Sequence, residues 1–258
     1  VFSNSSATPD TTTRSITVKV NDGSADSNLA TTSITVTSVN SAPALSNLNG
    51  DSVTFTEGGS AVLLDASGNA TLTDSDSTDF NGGTLTASIV TNRVSGEDVL
   101  SLVNQGSGAG QIGLSGSDVT YGGTVIGTYA GGTGSNDLVV TFNANATPAA
   151  VQALVRDLTY ANSNSTDPTT SSRTVRVTVS DGDGGTSSQS DITVQVTPVN
   201  DAPTLSATGA SVTYSEGDSA VDLFSGVSVG TVESGQTIPA LTLTVANLSD
   251  GSSEQLSL

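Results

Sequence analysis

The carboxylates of this chain fall in short, glycine-punctuated runs. Asp74, Asp76 and Asp79 lie within Asp74-Ser75-Asp76-Ser77-Thr78-Asp79, which Asn81-Gly82-Gly83 closes. Asp181 and Asp183 alternate with glycine in Asp181-Gly182-Asp183-Gly184-Gly185. A third oxygen-rich stretch, Val199-Asn200-Asp201-Ala202-Pro203, is followed by Glu216. Carboxylates at alternate positions of a tight loop can converge their oxygens on one point, as an oxygen-only Ca2+ site requires. Two bare carboxylates about 4 Å apart repel by roughly 4 kcal/mol at an effective dielectric near 20, and a divalent cation reverses that sign. Mg2+ suits such loops less well, because it demands octahedral geometry and retains its water. Asp, Gly and Ser also form turns without any ligand. The weight on the metal side comes from clusters at repeat-matched places.

The elements that carry these loops repeat. Thr174–Ser180 and Asp191–Thr197 alternate apolar and polar residues on either side of the Asp181–Gly185 loop, which predicts a hairpin of half-buried strands. Residues 14–43 carry the same hairpin and the same proline-marked exit. Arg14 matches Arg173 and Asp22 matches Asp181 at a spacing of 159, and Ala42-Pro43 matches Ala202-Pro203 at 160. Thr54-Phe55-Thr56-Glu57-Gly58 is echoed by Thr213-Tyr214-Ser215-Glu216-Gly217 at 159. The chain therefore reads as a tandem array. Residues 1–40 supply the end of a preceding β-sandwich repeat, residues 41–200 a complete one, and residues 201–258 the start of a following one. The exits at 39–43 and 199–203 are joints between copies.

Within the array, strands are expected at about 15–20, 32–38, 52–56, 61–64, 69–73, 84–90, 98–103, 118–121, 124–129, 137–142 and 158–161. One short helix is expected, of a single turn or two. Thr147 can cap it, Pro148 fits its first turn, and Val151, Leu154 and Val155 give one apolar face. Many short strands between turns, with almost no helix, predict an all-β fold of tandem sandwiches.

Composition limits the function. The 258 residues carry 25 carboxylates against six cations, for a net charge of −19, and Lys19 is the only lysine. Such a field repels nucleic acid, which is bound through cationic contacts to phosphate, and disfavours anionic membrane surfaces. No apolar run approaches a spanning length. Cysteine is absent, so no disulfide braces the fold. Scarce aromatics and abundant Gly, Ser, Thr and Asn would suit disorder, but the recurrent Val, Ile and Leu alternation argues for folded β-structure with a thin core.

The Val-Asn-Asp-Ala-Pro joint, the Thr-Glu-Gly that follows it and the Asp-x-Asp loop resemble cadherin-like tandem repeats. The nearest likeness is to repeats of giant secreted bacterial adhesins of the RTX type, often exported by type I secretion. LTDSDSTDFNGGTLT, YGGTVIGTYAGG and SSRTVRVTVSDGDGGTS are typical phrases of such repeats. The resemblance implies Ca2+ at and near the joints, stiffening an extracellular rod that holds a binding domain away from the cell. By motif, Asn200, Asp201 and Glu216 would serve the second joint, with Asp181 and Asp183 nearby. Asn40 and Glu57 would serve the first, and Asp22 is the earlier copy's hairpin-turn carboxylate. Two departures stand out. Ser41 replaces Asp201 and Ser24 replaces Asp183, which predicts weaker binding at the first joint. The third copy carries Val229-Gly230-Thr231-Val232-Glu233 in place of the 74–79 cluster, as though it lacked that loop site.

Catalysis has few tools here. No His and no Cys means no usual base and nucleophile pairing, and no Trp means no sugar-stacking platform for a glycosidase carboxylate pair. Gly122-Gly123 and Gly131-Gly132-Thr133-Gly134 sit in a β context and read as turns, not as a phosphate cradle. A Lys–Asn isopeptide staple is not a device shared by the repeats, because Thr178 occupies the position matching Lys19. Two functions remain. One is a calcium-stiffened structural extender of a bacterial surface protein, whose partners are neighbouring repeats and whose receptor is bound by regions outside this chain. The other is a homo-oligomeric, calcium-dependent extracellular filament or sheath built by strand exchange.

Overall fold

The computed structural model describes residues 1–247, 249–250, 253, 255 and 256. They form a mostly β structure of two compact units, Val1–Pro198 and Val199–Leu258. In the first unit the strands run β1 Arg14–Val18, β2 Ala30–Ile34, β3 Ala44–Ser46, β4 Ser52–Thr56, β5 Val62–Leu63, β6 Thr71–Thr73, β7 Thr84–Thr91 and β8 Asp98–Leu102. There follow β9 Ile112–Ser115, β10 Asp118–Tyr121, β11 Thr124–Ala130, β12 Leu138–Phe142, helix α1 Pro148–Arg156, β13 Leu158–Asn162, β14 Arg173–Val179 and β15 Ser190–Thr197. The second unit contributes β16 Thr204–Gly209 and β17 Phe224–Gly230.

An eight-stranded sheet dominates the first unit, in the order β4-β15-β14-β7-β12-β11-β10-β9. Its alternation is complete where it matters: Leu85, Ala87, Val140, Val175, Val177 and Val194 all point into the core and are buried. The polar partners between them face outward, as a pleat of period two requires. A three-stranded sheet, β5-β13-β8, contributes Leu100, Leu102, Leu158 and Tyr160 to the same core. Phe55 of β4 meets Tyr160 of β13 edge to face, with ring centroids 5.9 Å apart. The β4·β15 pair is parallel, whereas the other pairings of this sheet are antiparallel.

Helix α1 starts where Thr147 caps it, its hydroxyl accepting from the Ala150 amide at 3.3 Å. It spans nine residues, longer than the one or two turns expected, because Ala150, Val151, Leu154 and Val155 all find apolar cover. Other boundaries differ for reasons of pairing. The strand expected at 61–64 is cut to Val62–Leu63, since β5 meets β13 only at Thr159↔Leu63 and Tyr160↔Val62. The strand expected at 69–73 is limited to β6, which pairs with the unanticipated β3 from Ala44↔Thr73 to Ser46↔Thr71. β9 was likewise hidden among glycines and is defined only by its partner β10. Gly122 and Gly123 have φ of 58° and 81° and form the two-residue turn between β10 and β11, the conformation glycine adopts most readily.

Candidate functional site

Two pairings bring the first joint to the acidic loops. Because Ala44 opposes Thr73, the chain entering β3 runs beside the chain leaving β6, and residue 41 arrives next to the 74–79 loop. The β14–β15 hairpin carries the 181–185 loop to the same place. Ser41 donates its backbone N–H to Asp76 Oδ1 at 3.2 Å and Oδ2 at 3.0 Å. Asn40 donates its side-chain amide to Asp181 Oδ2 at 2.9 Å. Consecutive residues of the joint thus hold one carboxylate from each loop.

Each loop is organised by its first aspartate. Asp74 Oδ1 accepts from the amides of Asp76 (3.1 Å) and Ser77 (3.0 Å). Asp181 Oδ1 accepts from those of Asp183 (2.8 Å) and Gly185 (2.9 Å). Asp181 is fully buried. Burial pushes its pKa up, but the donors from Asn40, Gly185 and Asp183 outweigh that and hold it below the ordinary value. Two oxygens remain open: Asp74 Oδ2 and Ser77 Oγ are buried without a hydrogen-bond partner. The approach is close. A Cβ on Gly185 would stand 2.2 Å from Asp181 Oδ2 and 2.7 Å from Ala42 Cα, so only glycine fits between loop and joint.

The remaining expected ligands are dispersed. Asp79 Oδ1 accepts from the Asn81 amide at 3.2 Å, and Asp183 is exposed. Asp22 is exposed too, its Oδ1 accepting from the Ser24 and Ala25 amides at 2.9 Å; those bonds hold its pKa down. Glu57 is buried just after β4, its backbone N–H donating to Thr197 O at 2.9 Å. Since β4 runs parallel to β15 from Ser52↔Thr193 to Thr56↔Thr197, Glu57 lies at the Thr197 end of the sheet. Asn40 and Asp181 are at the hairpin end. The structure therefore does not bring Glu57 to Asn40; Asp181 is the carboxylate that Asn40 meets. Among the described residues no group of three or more acidic side chains stands close enough to form a ready-made metal cage.

The second unit repeats the arrangement with different residues. Asp201 donates its backbone N–H to Glu233 Oε1, as Ser41 does to Asp76. Gln236 donates to Asn200 Oδ1 at 2.8 Å. Asn200, Asp201 and Gln236 line an open cleft of about 450 Å³ with Pro203, Thr231 and Gly235. Glu233 is buried, and Asp201 Oδ2 and Glu233 Oε2 are both buried without a hydrogen-bond partner. Glu233 stands 159 positions after Asp74, within the Val229–Glu233 stretch that replaces the 74–79 cluster. Glu216 is exposed and, among the described residues, makes no hydrogen bond to Asn200 or Asp201.

One buried constellation was missed by the sequence reading. Arg173 is fully buried; its Nε donates to Asp98 Oδ1 at 3.0 Å, and its Nη1 donates to Ser171 O at 2.7 Å and to Thr169 O. Tyr160 Oη donates to the same Asp98 oxygen at 2.6 Å, while Val94 N donates to Asp98 Oδ2 at 2.6 Å. Burial, then the Asp98 carboxylate, drive the Tyr160 hydroxyl's pKa upward. Beside them Glu97 accepts from Asn162 and Asn164 at 3.2 Å and from the Thr169 amide at 3.0 Å. Arg173 shares the phase of Val175, Val177 and Val179, and that was the available signal that it points inward. The full pairing marks this cluster as architecture.

No protein-family model and no curated protein matches the chain. Among the described residues no helix is long and apolar enough to cross a membrane.

Proposed function

We propose that this chain is a structural extender: serial cadherin-like β-sandwich repeats of a bacterial cell-surface or secreted protein, stiffened by Ca2+ where one repeat meets the next. The observation that carries this reading is the first joint, where Asn40 and Ser41 hold Asp181 and Asp76 while Asp74 Oδ2 stays buried and unpartnered. A buried carboxylate oxygen without a donor costs free energy that a cation would recover. Asp74, Asp76 and Asp181, with Ser77 Oγ, would have to draw together around the ion to supply an oxygen-only donor set, the type that suits Ca2+ and not the softer transition metals. Asn200, Asp201 and Glu233 would supply the corresponding oxygens in the second unit.

The ion neutralises loops that otherwise repel one another, so joint and loops order together. Metal binding is thereby coupled to stiffness. A role for the protein outside the cell fits such sites, because weak extracellular modules bind Ca2+ with Kd of about 10⁻⁴ to 10⁻³ M and such concentrations are met there. Thermal unfolding in EDTA and in millimolar CaCl2 tests the reading. At 10-fold excess over Kd, one site adds about 1.4 kcal/mol, so the midpoint rises; an identical midpoint in both buffers removes calcium from the account.

A further inference from the structure

The eight-stranded sheet ends at β9, and an end strand presents a row of backbone groups that no neighbouring strand pairs. On β9 that row belongs to Ile112 and Leu114, and two amide side chains cover it. Leu114 donates its N–H to Asn104 Oδ1 at 3.2 Å, and Asn104 Nδ2 donates in return to Leu114 O at 3.5 Å. Ile112 donates its N–H to Gln105 Oε1 at 3.1 Å, while the Gln105 backbone N–H donates to Ile112 O at 2.7 Å. Asn104 and Gln105 thus stand in for the missing neighbour.

This cover is fastened to the end of α1. Gln105 Nε2 donates to Asp157 Oδ1 at 2.8 Å, and Val103 N donates to Asp157 O at 3.0 Å. Between Gln105 and β9 the chain is Gly106-Ser107-Gly108-Ala109-Gly110-Gln111, with φ of 113° at Gly106 and 77° at Gly110, values that glycine adopts without strain. Gly113 lets the segment close, since a Cβ there would stand 2.5 Å from Gly106 O.

Asp157 is poorly placed to carry a charge. Its Oδ2 is buried without a hydrogen-bond partner, and it follows the C-terminus of α1, where the last carbonyls are partly negative. No cation answers it. Arg156, the only ionisable residue of α1, is held by its Nε on Ala70 O at 2.8 Å. β6 and β9, packed on the same helix, carry no ionisable residue, and neither does the chain from Val103 to Ser117. Asp98 of β8 bonds Tyr160 of β13 and Arg173; it lies opposite Asn162, at the far end of the β8·β13 pair from the Leu158↔Leu102 rung beside Asp157.

We propose that the Asn104-Gln105 cover is a proton-controlled latch: with Asp157 protonated it lies shut on β9, and with Asp157 ionised it lifts on its glycines, wetting the carboxylate and baring the backbone groups of Ile112 and Leu114. Burial supports the direction, raising the Asp157 pKa from 3.8 to about 6. The shut state holds the proton more tightly than the lifted state, in which the carboxyl is in water. Its advantage is therefore complete below about pH 4 and falls as pH rises through about 6, by roughly 100-fold in all. The edge is thus guarded in acid and accessible near neutral pH. The latch does not depend on the calcium reading.

Hydrogen exchange of the 258-residue chain, resolved by NMR and corrected at each pH for the intrinsic rate of each amide, tests it. Protection of the Ile112 and Leu114 amides should fall by roughly 100-fold between about pH 4 and about pH 7, while the β14 amides keep theirs. In Asp157→Asn, which can still accept from Gln105, the fall should vanish. Gln105→Ala keeps the titrating group but removes the cover, so Ile112 should be poorly protected at both pH values with β14 unchanged. Protection that ignores pH in the parent, or that falls equally in Asp157→Asn, would overturn the latch. So would an Ile112 amide still protected in Gln105→Ala, or an equal loss at β14, which would mark the opening as global unfolding.

Discussion

Asn40 Nδ2 lies 2.9 Å from Asp181 Oδ2 although 141 residues separate them. This bond ties the 39–43 segment to the turn of the β14–β15 hairpin. The amide offers a donor to a carboxylate while keeping its own oxygen available. In the second unit that oxygen, on Asn200, is the one Gln236 meets.

On the proposed calcium reading, Asp74 would divide a structural and a metal-binding role between its two oxygens. Its Oδ1 organises the loop and its Oδ2 is unpartnered. Asp74→Asn preserves the first role, so stability in EDTA should change little. The gain on adding Ca2+ should shrink by up to about 1.4 kcal/mol at 10-fold excess over Kd. Calorimetry of both proteins with and without Ca2+ checks this, and equal calcium gains would exclude Asp74 as a ligand.

Gly185→Ala should loosen the first joint. The added methyl meets Ala42 Cα and Asp181 Oδ2 well inside contact distance, and relieving it costs about 1–3 kcal/mol, the usual range for overpacking. Limited proteolysis should then cut faster within 39–43. Gly96→Ala is the control, since a Cβ there meets nothing within 4 Å.

Arg173→Met should be among the most damaging single changes in the chain. It strands Asp98 and Glu97 without their cation, and breaking a buried pair typically costs about 3–5 kcal/mol. Tyr160→Phe removes only one bond to the charged Asp98 oxygen and should cost about 1.5–3 kcal/mol. Urea midpoints at constant m-value rank the two, and the reverse order would contradict the network as described.

Asp157 predicts a distinctive pH response. It caps the end of α1, is 5% exposed, and burial raises its pKa from 3.8 to about 6. The folded state therefore holds this proton more tightly than the unfolded state does. Its stabilising contribution is complete below about pH 4 and is lost as pH rises through about 6, by about 3 kcal/mol in all. Asp157→Asn, which can still accept from Gln105, should match the parent near pH 4 and exceed it above pH 6. A constant difference at all pH values would show that Asp157 does not titrate in this window.

The repeat, the alternating strands of the β14–β15 hairpin, the Thr147 cap and the acidic loops were all legible in the chain, because each is a local pattern with a fixed period or spacing. Glu233 lies 159 positions after Asp74, a correspondence that the motif alone did not bring out because its neighbours differ from those of the 74–79 loop. The grouping of ligands was not legible. Glu57 and Asn40 follow the same motif, yet the parallel β4·β15 register sends Glu57 to the Thr197 end and leaves Asn40 with Asp181. Which end of a strand a residue occupies depends on partners more than a hundred positions away, and no local period encodes that. For the same reason Arg173 was visible only as a polar residue in an apolar phase, and its partners Asp98 and Tyr160 came from strands of a different sheet. The sequence by itself determined which residues alternate, turn and repeat; the tertiary structure alone decided which of their oxygens face one another, because long-range strand pairing sets those distances.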